Sequence, residues 1–122
     1  ITVSTEGTTA LLARSPRKFL EIIGTLMMNG FTDRILWAMG GLVGHSRWYE
    51  EAFWNIEMPR DLVDDYGFPE LTEEAKRKIL GLNAARLLGL DMDDVRQATS
   101  SDEYAKPRRL KEPYSTLQRS AA

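Results

Sequence analysis

Few residues in this chain are equipped for chemistry. There is one histidine, His45, and no cysteine, so disulfides and thiolate nucleophiles are excluded. The carboxylates are scattered, whereas a metal site needs three or four convergent ligands. One imidazole among dispersed acids does not build such a site within the chain. The place where a ligand is expected is residues 33–41. Residues 35–39, Ile-Leu-Trp-Ala-Met, form a continuous apolar run, the pattern of a strand covered on both faces in a parallel sheet. Gly40-Gly41 follows it. Glycines let the backbone turn sharply and come close to a substrate, and α/β folds place ligands at the carboxyl ends of such strands. Gly40 and Gly41 are therefore pocket candidates.

Trp48 is a further candidate. It belongs to an aromatic-rich stretch, residues 47–56, in which Tyr49, Phe53 and Ile56 share one helical face while Trp48 and Ala52 share the adjacent one. Core packing accounts for that density of rings, and so does a face that lines substrate or meets a subunit.

The elements that must position these residues are legible on either side. Residues 1–5, Ile-Thr-Val-Ser-Thr, are rich in β-branched side chains and read as a first strand, ended by Glu6-Gly7. Ser15-Pro16 opens a helix: serine caps free amides, and proline suits the first helical position because its missing N–H costs nothing there. Phe19, Ile22, Ile23, Leu26 and Met27 mark its apolar stripe, and Asn29-Gly30 its end. Strand, helix and strand make a βαβ unit, so the two strands are expected to be parallel with a right-handed crossover. Two such strands need neighbours on their free edges, and nothing later in the chain reads as strand. The remaining sheet is expected from elsewhere.

Beyond the aromatic helix, Pro59 starts a short helical turn stopped by Gly67, and Thr72 caps a helix with Glu73 and Glu74 in its first turn. Gly81 interrupts that helix, Asn83 is placed to cap the next, and Gly89 closes it. The expected organisation is a folded segment over residues 1–92 and an extended carboxyl-terminal arm over 93–122, whose polar composition would order only against a partner.

The bulk numbers set the class. A chain of 122 residues has room for one domain, and a net charge of −2 builds no field that would recruit nucleic acid. The apolar runs fall short of the roughly 18 residues of a membrane span. No nucleic-acid or membrane partner and a cytoplasmic location are expected. The chain starts at Ile1, inside a strand pattern and without Met, which reads as a processed or truncated start or as one piece of something larger.

Three segments together resemble a known family: Asp33-Arg34-Ile35-Leu36-Trp37, Arg47-Trp48-Tyr49, and above all Lys78-Ile79-Leu80-Gly81-Leu82-Asn83-Ala84-Ala85-Arg86-Leu87-Leu88-Gly89-Leu90. They are similar to the carboxyl-terminal end of the metal-dependent amidohydrolase superfamily, in the branch of aminocarboxymuconate-semialdehyde decarboxylase and related hydrolases, hydratases and decarboxylases. The resemblance covers residues 1–92. It implies an α/β fold, the last portion (about strands seven and eight with their helices) of a TIM barrel, mostly helical by content and completed by a partner chain.

The same resemblance implies roles. His45 lies in the glycine-rich loop where family members carry a histidine near the active site, and Glu6 is the acid at the barrel mouth after strand seven. Both are catalytic candidates, with Gly40, Gly41, His45 and Trp48 lining the substrate pocket. The family's strand-eight aspartate is replaced here by Ala38-Met39-Gly40, and glycine neither ligates a cation nor moves a proton. A divalent metal (zinc, manganese or iron) is thus expected in a larger amidohydrolase-like partner rather than in this chain. The leading expectation is the small subunit of a hetero-oligomeric hydrolase or decarboxylase acting on a small molecule. The alternatives are a non-catalytic interaction subunit and a fragment of a full-length barrel enzyme.

Overall fold

The structure is a computed structural model that describes residues 1–40 and 46–101. The described residues up to Leu88 form one compact unit, and those from Gly89 on belong to a second.

The first unit starts with strand β1 (Val3–Ser4), continues through helices α1 (Ala10–Arg14) and α2 (Pro16–Met28), and returns through a 3₁₀ turn, Thr32–Arg34, into strand β2 (Ile35–Leu36). The strands pair in parallel, Val3 with Ile35 and Ser4 with Leu36, as a βαβ unit requires. Helices α3 (Ser46–Asn55), α4 (Arg60–Tyr66), α5 (Glu73–Arg77) and α6 (Asn83–Leu88) follow, with a π-helical turn, Lys78–Leu82, joining the last two.

The expected TIM-barrel portion is not what forms. The unit is mostly helical, and its two strands are two residues long each. The extended run anticipated over 35–39 stops after Leu36, and of its residues only Ile35 is fully buried. The reason lies at the sheet edge. Among the described residues no further strand takes up β2; instead the Trp37 N–H donates to the Ile79 carbonyl in the π turn at 3.0 Å. The Asn83 side-chain amide donates to the carbonyls of Thr32 and Ile35 at 2.8 and 2.9 Å. A helix thus satisfies the edge that seemed to demand strands from elsewhere. On the other side β1 is only two residues long, and very short edge strands are one of the ways proteins blunt an edge.

The core gathers Phe19, Leu20, Ile23 and Met27 of α2, Ile35, Phe53 of α3, Leu62 of α4, and Ala75 and Ile79. Phe53 meets Phe19 edge-on at 5.9 Å and Trp37 at 5.0 Å between ring centroids. Each fully buried large side chain of this kind contributes about 1.5–3 kcal/mol. The buried face of α2 is rotated from the anticipated stripe: Leu20 and Gly24 are buried, and Ile22 is exposed. Gly24 explains the rotation. A Cβ there would stand 2.4 Å from Cδ2 of Phe68, so the bare glycine lets the Phe68 ring lie on the helix.

Local signals act where expected at several ends. Thr72 accepts the Ala75 N–H at its helix start, and Gly67 ends α4 in the left-handed conformation. Ser15 makes no side-chain cap, leaving Pro16 to start α2 by its fixed φ. Asn83 does not cap a new helix; the chain passes through it in helical conformation, and its amide serves the sheet instead.

In the second unit, residues 92–99, assigned by the sequence to the extended arm almost entirely, form helix α7 (Met92–Thr99). Asp91 caps it by accepting the N–H groups of Asp93 and Asp94 at 2.8 and 3.1 Å. None of the helices among the described residues is long and apolar enough to cross a membrane.

Candidate functional site

Both strands point their carboxyl ends at one corner, and threonine hydroxyls build it. Beyond the last paired residues the backbone ladder gives way to side chains. Thr5 donates its N–H to the Leu36 carbonyl at 2.9 Å. Its buried Oγ1 then accepts the Ala38 N–H at 2.9 Å and lies 3.0 Å from the Ala38 carbonyl. The Thr9 hydroxyl, also buried, reaches the same carbonyl at 2.7 Å. Thr9 is brought there because α1 begins at once: the Thr5 carbonyl accepts the N–H groups of Thr8 and Thr9, both at 3.0 Å. Residues 36–38 are therefore held from both sides, by Thr5 and Thr9 on one and by Ile79 on the other.

At the exposed top of this corner the structure joins two of the anticipated site residues. Gly40 has φ +58°, and a Cβ placed on it would lie 3.1 Å from Oε1 and 3.3 Å from Cγ of Glu6. The Glu6 side chain thus packs over a backbone position that has neither room nor the dihedral for an ordinary residue. Its main-chain N–H is held by Ser4 Oγ at 3.1 Å. Among the described residues Glu6 forms no ion pair, so the carboxylate is open to a cationic or hydrogen-bond-donating solute.

Gly41 and His45 lie outside the described residues. Trp48, at the start of α3, is 71% exposed, and no hydrogen bond or ring contact among the described residues ties it to the Glu6–Gly40 corner. The aromatic helix divides by face: Phe53 is fully buried, while Trp48 and Trp54 project outward. Among the described residues no group of three or more His, Asp or Glu side chains is arranged to hold a metal ion. A resident divalent metal does not fit the donors at this corner, which are one carboxylate and hydroxyls already bonded to backbone.

Three positioning residues escaped the sequence reading: Thr5, Thr9 and Asn83. The run Thr5, Thr8, Thr9 directly after a strand was the available signal for the first two, since threonine hydroxyls bond nearby backbone where a strand ends. Asn83 gave none, because its partners are Thr32 and Ile35, 51 and 48 residues away.

With this geometry in place, no protein-family model, curated protein or solved structure matches the chain.

Proposed function

We propose that the chain acts in the cytoplasm as an accessory part of a larger metal-dependent amidohydrolase-like enzyme, a hydrolase or decarboxylase of small molecules. In this reading the larger partner carries the zinc, manganese or iron, and this chain adds the Glu6–Gly40 corner to the pocket. The observation that carries it is the Glu6 carboxylate over Gly40, exposed at the carboxyl ends of two parallel strands, where α/β folds bind ligands. The Lys78–Leu90 segment supports the family assignment. The partner is needed for chemistry and not for the sheet, whose β2 edge is satisfied internally.

The test is native mass spectrometry of the protein from its source, with metal analysis and kinetics on the same complex. The expected result is a defined complex with a larger chain that holds a divalent metal, in which Glu6→Gln lowers kcat/KM by about tenfold or more. A metal-free monomer overturns the proposal.

A second reading, a non-catalytic interaction subunit, is favoured by Leu87 and Leu88 at the end of α6, 60% and 70% exposed. Exposed adjacent leucines suit a protein contact. Under this reading Glu6→Gln leaves kcat and KM unchanged, while Leu87→Asp dissociates the complex.

A further inference from the structure

The end of α2 carries the one Asn-Gly step in the chain, Asn29-Gly30. Both residues are exposed. An asparagine before glycine can react with its own main chain. The next residue's nitrogen is within ring-closing distance of the side-chain amide carbon, and glycine has no Cβ to block the approach. The structure holds that reaction off. Gly30, at φ +79°, closes the helix: its N–H donates to the Met27 carbonyl at 2.9 Å, and the Phe31 N–H to that of Leu26 at 3.0 Å. These are the paired bonds of a Schellman end, so the attacking nitrogen is engaged in a hydrogen bond. It is also misdirected. Closing a succinimide ring needs it eclipsed with Cβ of Asn29, whereas at ψ 14° it nearly eclipses that residue's own main-chain nitrogen. The electrophile is restrained as well: Asn29 Nδ2 donates to the Thr25 carbonyl at 2.7 Å, which draws the amide back along the helix.

We propose that Asn29-Gly30 is a deamidation site gated by the last turn of α2, so that the chain modifies itself only when that turn opens. On opening, the Gly30 nitrogen gives its proton to hydroxide and bonds to Asn29 Cγ. The Cγ–Nδ2 bond breaks, and Nδ2 leaves as ammonia with a proton from water. Water then opens the imide at either carbonyl, leaving aspartate or, with the main chain rerouted through the side chain, isoaspartate. Either product puts a carboxylate at the negative end of the helix dipole and removes the Nδ2 donor from Thr25. Isoaspartate also lengthens the main chain by one carbon between α2 and the Thr32–Arg34 turn that leads into β2. The conversion therefore weakens the βαβ unit. The proposal is independent of the Glu6–Gly40 corner.

Peptide mapping of the full chain by mass spectrometry tests it, after incubation at mildly alkaline pH in buffer and in urea sufficient to unfold it. Conversion at residue 29 is expected in urea, and about tenfold or more slowly in the folded chain. Urea short of the unfolding transition should leave the folded rate nearly unchanged, because fraying one turn exposes little surface. Asn29→Asp should lower the urea midpoint of the folded chain. Absence of conversion in urea, equal rates in the two solvents, or a folded rate that climbs in step with global unfolding overturns the gated site. An Asn29→Asp midpoint at or above that of the parent chain overturns the weakening of the βαβ unit.

Discussion

The side-chain amide of Asn83 donates to the main-chain carbonyl of Ile35 at 2.9 Å, across 48 residues of sequence. With its second bond, to Thr32 at 2.8 Å, the buried Asn83 closes the edge of β2 in place of a neighbouring strand. Replacing it by Ala removes the side-chain donor from the buried Ile35 carbonyl and from the partly buried Thr32 carbonyl. Asn83→Ala should cost about 2–3 kcal/mol, read as a lower denaturation midpoint in urea at unchanged m. Asn83→Asp should cost more at neutral pH, because it sets a charged acceptor against two acceptors.

Gly24 and Phe68 make a packing prediction. A methyl at position 24 would overlap the Phe68 ring at 2.4 Å, so the ring must shift to admit it. Gly24→Ala should destabilise by about 1–3 kcal/mol despite alanine's higher helix propensity. In combination with Phe68→Leu the loss should be smaller than the sum of the two single changes. Additive losses in the double-mutant cycle would show that the ring yields at no cost.

Acid and base should act on one exposed network. Lys78 sits 3.0 Å from both Asp33 and Glu74. Its hydrogen bond and then its charge hold the Asp33 carboxyl below its ordinary range. The Lys78 ammonium is raised above its own ordinary range, first by the Asp33 hydrogen bond and next by that to Glu74. A carboxyl depressed in the folded state stabilises fully above its unfolded pKa, near 3.9, and loses that contribution as pH falls through the folded value. A raised ammonium stabilises fully below about 10.4 and loses its contribution as pH climbs through the folded value. Lys78→Met should therefore flatten the stability profile below about pH 4 and above about pH 10. The check is the melting temperature across pH in low salt, with the difference shrinking as salt is added.

Gly40 should resist substitution for two reasons at once. Its φ of +58° is unfavourable for alanine by about 1–2 kcal/mol, and the new methyl would press on the Glu6 carboxylate. Gly40→Ala should lower stability by about that amount and swing Glu6 outward. In the assembled enzyme it should reduce kcat/KM in parallel with Glu6→Gln, and the double variant should lose no more than the single ones.

The line between what the sequence determined and what required the tertiary structure follows the range of the interactions. Pro16 at a helix start, Gly67 at a helix end and the Thr72 cap act within about four residues, so their types and spacing sufficed. The parallel sense of β1 and β2 was also legible, because a helix of thirteen residues, Pro16–Met28, sits between them and a parallel pair needs such a crossover. The extent of the sheet was not. An apolar run over 35–39 reads the same whether strands or a helix cover it. The outcome was decided by Asn83 and Ile79 arriving at the β2 edge from more than forty residues away. The same holds for the buried face of α2, where Phe68 selects Gly24 over Ile22, and for the Glu6–Gly40 corner. Local sequence marked Glu6 and Gly40 separately. Only the pairing of the strands, locked by the Thr5 and Thr9 hydroxyls, set one over the other, because side-chain bonds to a distant backbone leave no periodicity behind in the chain that makes them.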